Sequence, residues 1–449
     1  MAQDDASPPH PSARPPSQKT GPEHMRRVAF ASFIGTVVEF YDFTMYGIAA
    51  ALVFPHIFFP ALGPVAGTVA SFATFGVAFV ARPFGSVLFG HFGDRLGRKR
   101  TLIATLLLMG TATILVGLMP TASSIGVAAP VCIVVLRILQ GLAAGGEWAG
   151  AVLFAAENAP KARRGFWAMF PGFGGGAATV LSNGTFFLVS LGVSAATFIS
   201  WGWRIPFLSS ILLVAIGLWV RLKIDETPVF KNEQSRGTAA RLPFTEAARR
   251  QPREILLATG TAVAGLLLTY IGGPYLTNYG AEELQLGRSY VLGMAVAGGA
   301  ALAVGVVLSG LWSDRLGRRR FLIGLSATAI VWSLILFPML DTRSPAAFGI
   351  GVIMTTFLGG CGSGPLGALM SELFHTRYRY TAAGFCYSFG GVFGAAIPPL
   401  LAAPIITTFG SPGLGVFMAI LCLISAMCVL ALAETSQRDM DQGGADPAA

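Results

Sequence analysis

Charge is scarce in this chain. Only 12% of its 449 residues are Asp, Glu, Lys or Arg, against roughly 25% in an average soluble domain, so an ordinary soluble fold is excluded. Long polar stretches are equally rare, the one internal case being 224–254. Cysteines at metal-ligand spacing are absent: Cys132, Cys361, Cys386, Cys422 and Cys428 all fall in apolar runs and read as buried reduced thiols, not as disulfides or a metal site. No G-x-x-x-x-G-K-[ST] phosphate loop occurs, which argues against an ATP-driven pump. Of five histidines, His10 and His24 lie in the opening segment, and no catalytic constellation emerges. An enzyme is not expected, nor any cofactor beyond a coupling proton. Residues 1–24 lack an apolar core, so they read as a disordered tail and not as a cleaved signal.

What is present is hydrophobic residues, 53% of the chain. Twelve apolar runs fall near 28–53, 65–91, 102–119, 128–157, 165–192, 199–222, 255–280, 290–312, 321–340, 346–371, 380–405 and 412–433. Each is long enough for a hydrocarbon layer of about 30 Å. They far exceed a barrel strand and do not alternate, so the expectation is an all-α membrane protein with twelve transmembrane helices. The net charge of +9 signals topology and not nucleic-acid binding. "RR" (26–27), "DRLGRKR" (94–100), "KARR" (161–164), the 221–253 segment, "DRLGRRR" (314–320) and "RYR" (377–379) share one side, whereas the opposite loops carry only Arg288 and Arg343. By the positive-inside rule both termini are cytoplasmic.

The spans divide six and six, and the halves repeat. "GHFGDRLGRKR" (90–100) follows span 2 and "GLWSDRLGRRR" (310–320) follows span 8; "ENAPKARRG" (157–165) ends span 4 and "ELFHTRYRYTAAG" (372–384) ends span 10. Internal duplication follows. The expected organisation is a tail (1–24), a six-helix bundle (25–223), a cytoplasmic loop (224–254), a second, pseudo-symmetric six-helix bundle (255–434) and a short tail (435–449).

The G-x-x-x-D-R-x-G-R-[KR] loops after spans 2 and 8 resemble the signature of the major facilitator superfamily. "EFYDF" (39–43), "RILQGLAAGGEWAGA" (137–151), "WGWRIPF" (201–207) and "ETPVF" (226–230) are similar to its metabolite:proton symporter family, and "VFPHIFFP" (53–60) with 72–99 to the shikimate-permease-type branch. His375 departs from the family, which usually has Pro there. The resemblance implies a multi-pass protein of the bacterial inner (plasma) membrane, importing a small polar metabolite with protons by alternating access.

Ionisable residues at membrane depth cost roughly 2.5 to 3.5 kcal/mol each, so those that persist face the interior or a partner. Gly35, Glu39, Asp42 and Tyr46 fall within about 60° of one another on a helix. Arg137, Gln140, Ala144, Glu147 and Ala151 make one stripe of span 4. Counted inward, Glu39, Arg82 and Glu147 come to depths of roughly 15 to 17 Å. This charged layer is either a structural clasp or a proton relay. Tyr41-Asp42 and Arg137 match the "YD" and helix-4 Arg of proton-coupled sugar porters of the same superfamily, which makes Asp42 the first candidate for coupling, with Glu39, Arg137 and Glu147 beside it. Arg137 and Arg82 suit a carboxylate-bearing ligand, shikimate- or dicarboxylate-like, or are satisfied by Glu39, Asp42 and Glu147. Tyr41, Gln140, Asn183 and Tyr270 complete the candidate substrate set; Tyr275, Asn278 and Tyr279 line a cavity or an aromatic belt.

The resemblance further implies that Asp94, Arg95 and Arg98, with Gly90 and Gly97 permitting the turn, latch the halves with acidic partners such as Glu157, and that Asp314, Arg315 and Glu372 echo this. "GFGGGA" (172–177) imitates a dinucleotide fingerprint, but lies inside a span and reads as helix packing. Trp201 and Trp203 read as interface anchors. Partners are then a small-molecule substrate and the lipid bilayer, with no nucleic acid, and the working unit a monomer. The competing readings are a proton-coupled exporter of drugs or metabolites and a transporter-like sensor.

Overall fold

In the computed structural model residues 22–96, 98–223, 243–375 and 378–436 are described, side chains at 22, 24, 91–96, 98, 99 and 223 excepted. Among them there is no strand. The long helices are α1 (Pro22–Leu52), α2 (Gly63–Leu96), α3 (Arg98–Leu118), α4 (Ala128–Asn158), α5 (Phe170–Gly192) and α6 (Arg204–Lys223). The second half holds α7 (Pro252–Glu282), α8 (Arg288–Leu316), α9 (Arg318–Leu340), α10 (Pro345–Leu373), α11 (379–409) and α12 (411–431). Ten helical stretches of the described residues are long and apolar enough to span a bilayer. One of them, Arg379–Ala431, breaks at Gly410, whose φ is 73°. Gly410 thus separates α11 from α12, and with the glycine-rich α5 the long helices among the described residues number twelve.

Three helices carry wide turns: Phe198–Gly202 before α6, Ile271–Tyr275 in α7 and Val392–Ala396 in α11. In α7 the cause is local, because Pro274 has no N–H to donate and Gly272 and Gly273 precede it. α4 is likewise interrupted at Gly146, directly before Glu147.

The halves meet chiefly where α5 packs on α8 and α2 on α11. The first seam explains "GFGGGA": a Cβ added at Gly176 would come within 2.7 Å of the Ala303 backbone. Only a small residue lets the helices approach so closely, which is membrane-helix packing and no nucleotide loop. α4 sits as tightly on α2, since a Cβ at Gly145 would stand 2.1 Å from the Arg82 carbonyl oxygen.

Several expectations need correction. Trp203 is fully buried among Phe54, Phe58 and Phe207, so only Trp201 is exposed as an interface anchor would be. All five cysteines are free, but Cys132 is exposed on α4. Residues 243–250, placed in the central loop, form a helix, and α7 begins at Pro252. Thr435, assigned to the C-terminal tail, is fully buried.

Candidate functional site

The first bundle carries a layer of buried charge. Arg82 donates to Glu39 at 3.0 Å, with both side chains nearly inaccessible. Arg82 also lies over the Phe43 ring at 3.8 Å and Arg137 over the Tyr46 ring at 3.8 Å. Asp42 takes hydrogen bonds from Thr113 on α3 and, at 2.8 Å, from the Gln140 amide. The same Gln140 accepts from Arg137 Nη1 at 2.9 Å. Arg137 has no ion pair among the described residues, and its Nε and Nη2 have no hydrogen-bond partner. Glu147 pairs with Arg221 of α6, whose guanidinium also caps the Leu102 carbonyl.

The sequence-derived layer is thus assembled, with altered partners. Glu39 and Arg82 pair directly; Asp42 and Arg137 communicate through Gln140; Glu147 turns to Arg221. Arg221 and Thr113 were missed. Arg221 had been counted with the basic loop, although "LLVAIGLWVRLK" places it within the last turns of an apolar helix. Thr113 offered only an ordinary threonine in an apolar run.

Between the bundles lies a cavity of about 50 Å³ lined by α1, α4, α5, α7, α8, α10 and α11. Of the six substrate candidates, Tyr270 lines it, while Arg137, Arg82, Tyr41, Gln140 and Asn183 do not. Tyr41 donates to the Pro206 carbonyl of α6 at 3.2 Å. Asn183 donates to the Thr179 carbonyl of its own helix at 2.9 Å, and its carbonyl oxygen has no partner. Phe75 and Phe79 neighbour both the guanidinium groups and Tyr270: Arg137 is 5.6 Å from the Phe75 ring, Arg82 is 5.2 Å from Phe79, and Tyr270 packs on both rings. Helix depth, which sequence counting supplies, says nothing of which way each helix is turned.

At the face where α10 ends and α11 begins, ion pairs tie the halves together. Glu157 of α4 meets Arg379 of α11 at 3.3 Å, and Arg164 meets Glu372 of α10 at 3.1 Å. Asp314 accepts the backbone N–H groups of Gly165 and Phe166 at 2.8 and 2.9 Å and pairs with Arg318 at 2.7 Å. Glu372 also receives Arg318 at 3.5 Å and the Thr435 hydroxyl at 2.8 Å. Glu434 accepts the N–H groups of Arg318 and Arg319, capping α9. Burial raises the pKa of Glu434, but the N–H groups of Ser436, Arg318, Arg319 and Thr435 outweigh it and hold the carboxyl below its ordinary range. Arg315 is exposed beside this cluster, and Gly90 is buried on α2 near Thr381. Asp94, Arg95, Gly97, Arg98 and His91 lie outside the described residues and side chains. On the opposite face Asn278 of α7 donates to the Ala51 carbonyl of α1 at 2.9 Å, while Tyr275 packs against Phe72 and Tyr279 against Phe337.

Apolar helices in two bundles around a central cavity, bridged by polar contacts at both ends, have the architecture of a membrane transporter. Residues 32–398 match the Major Facilitator Superfamily, and the chain belongs to that family. It is 40% identical to the shikimate transporter of Escherichia coli (strain K12), over 95% of this chain and 98% of that one. It is 39% identical to the inner membrane metabolite transport protein YhjE of the same strain, over 92% and 95% of the two chains. In fold it is similar to the xylose transporter XylE from E. coli in a partially occluded inward open conformation, with TM-score 0.68, 17% identity and coverage of 93% and 100%. The chain is therefore a multi-pass membrane protein that transports a small-molecule solute.

Proposed function

We propose that the chain imports a small carboxylate-bearing metabolite, shikimate- or dicarboxylate-like, together with protons. It works as a monomer in the bacterial inner membrane with both termini in the cytoplasm. Residues 25–223 and 255–434 are the rocking units, joined by 224–254 and flanked by the tails 1–24 and 435–449. The observation that carries this reading is the free edge of Arg137. Nε and Nη2 are the two parallel donors of the side-on guanidinium fork, the geometry that takes a carboxylate in two hydrogen bonds. Both lack an acceptor in a fully buried site. Among the described residues its one hydrogen bond goes to Gln140, which also holds Asp42, while the Tyr46 and Phe43 rings lie against its face.

Asp42 is the coupling residue in this reading. As a carboxylate it accepts from Thr113 and Gln140, which keeps the Gln140 oxygen turned to Arg137. A proton arriving from the outer solution on an Asp42 oxygen removes the charge that orders this chain and releases Arg137 toward the substrate carboxylate. Glu39 with Arg82 and Glu147 with Arg221 are charge-balanced neighbours that keep the bundle packed around it. The 40% identity with a shikimate transporter supports the substrate class. Right-side-out vesicles with labelled shikimate, a dicarboxylate and glycine betaine under an imposed pH gradient test the proposal. Inward accumulation of a carboxylate that collapses with the gradient is expected; efflux, or uptake indifferent to the gradient, overturns it.

A further inference from the structure

Trp148 of α4 and Tyr387 of α11 stack across the interface between the bundles, their rings 3.7 Å apart and 5° from parallel. With Tyr270 and Thr44 they line the cavity, and none of the four is more than 9% exposed. Within the described residues the Trp148 indole N–H and the hydroxyls of Tyr387, Tyr270 and Thr44 make no hydrogen bond. Other hydroxyls on the same wall behave differently: Thr179, Thr269 and Thr356 turn back to carbonyls of their own helices. No charged side chain lines the cavity. None of these four polar atoms is among the sealed, partnerless ones, as Trp203 Nε1 and Thr259 Oγ1 are; they open on the cavity, where an occupant can supply their partners. The place where they converge is also the place a solute must cross.

We propose that Trp148, Tyr270 and Tyr387 form a hydroxyl-reading platform, whose ligand is a small ring bearing several hydroxyl groups. This rests on the carboxylate-import reading and deepens it: the carboxylate goes to the Arg137 side and the hydroxylated ring to the aromatic side. At about 50 Å³ the cavity holds no ring until Trp148 and Tyr387 part, and parting exposes two aromatic faces on opposite bundles. Hydroxyl groups then satisfy the indole N–H and both phenols, while the ring carbons lie on the exposed faces. A quaternary ammonium ligand would also favour aromatic faces. Its ammonium group accepts no hydrogen bond, however, and with any carboxylate on the Arg137 side it leaves the same donors unpaired. A site with such donors discriminates strongly against ligands lacking the matching groups.

The test uses purified full-length protein in lipid nanodiscs and equilibrium binding of shikimate, cyclohex-1-ene-1-carboxylate, myo-inositol and glycine betaine. Wild type should bind shikimate more tightly than the bare ring acid. Tyr270→Phe and Tyr387→Phe keep the ring and remove one hydroxyl each, and Trp148→Phe removes the indole N–H with part of the aromatic face; each should weaken shikimate about tenfold, and the two tyrosine variants should leave the bare ring acid unchanged. Gel filtration and thermal unfolding confirm that the variants are folded. Equal binding of shikimate and the bare ring acid, wild-type shikimate affinity in all three variants, preference for betaine, or no binding of either hydroxylated ring would overturn the platform. Binding of myo-inositol alone, with the same sensitivity to the three variants, would support the platform and sink the carboxylate reading.

Discussion

Asp42 and Arg137 do not touch: Gln140 stands between them, donating to the carboxylate at 2.8 Å and accepting from the guanidinium at 2.9 Å. A neutral amide with one donor end and one acceptor end can be ordered by either charge, so a change in protonation of Asp42 reaches Arg137 without a direct ion pair being broken.

Removal of the titrating group should uncouple transport. Asp42→Asn is expected to abolish uphill accumulation under a pH gradient while preserving exchange at equal substrate concentrations on both sides. A mutant that still concentrates substrate excludes Asp42 as the coupling residue. Gln140→Leu, which strands both ends of the bridge, should uncouple as well and cost about 1–3 kcal/mol of stability in a thermal unfolding assay.

The Glu39–Arg82 pair is predicted to be structural. Breaking a buried pair by removing one charge costs about 3–5 kcal/mol, so Glu39→Gln should lower the unfolding temperature markedly. The double change with Arg82→Leu should recover most of it, because no charge is then left alone at depth. If transport is lost in the double mutant while stability returns, the pair has a role in the transport cycle itself.

Asp314 reaches across the bundles to the N–H groups of Gly165 and Phe166. Asp314→Asn loses charge-assisted bonds worth roughly 1.5–3 kcal/mol together with the Arg318 pair, which should shift the population toward opening at this face about tenfold or more. Labelling of a single cysteine introduced as Ser363→Cys, a near-isosteric change on the cavity wall, should speed up accordingly. Unchanged labelling would remove Asp314 from the latch.

Protonation of Glu434 should undock the C-terminal strap. Its carboxyl is held below the ordinary glutamate range by backbone N–H groups. The stabilisation is therefore complete above the ordinary value and lost as the pH falls through the lowered one. A spin label at Ser436 should be immobile at neutral pH and gain mobility only in strongly acidic buffer. Glu434→Gln should show the mobile signal at neutral pH, and equal spectra for both proteins would argue against the cap.

The sequence alone specified the helical body, its division into halves and the depth of its buried charges. Composition excludes solvent, run length excludes strands, and a repeated basic loop reveals the duplication. It also brought Glu39 and Arg82 to one level, because height follows from residue count at a constant rise. Rotation about each helix axis does not follow from counting. Tertiary packing therefore decided that Glu147 meets Arg221 and not a charge on its own stripe, that Phe75 and Phe79 pack against Tyr270 of the other bundle, and that Tyr41 points toward α6. It decided the cross-bundle partners too, since Trp148 with Tyr387 and Glu157 with Arg379 are more than two hundred residues apart in sequence. Such pairs are selected by the fit of two bundle surfaces, where close-packed glycines such as Gly176 set the distance, and no local pattern in the chain encodes that fit.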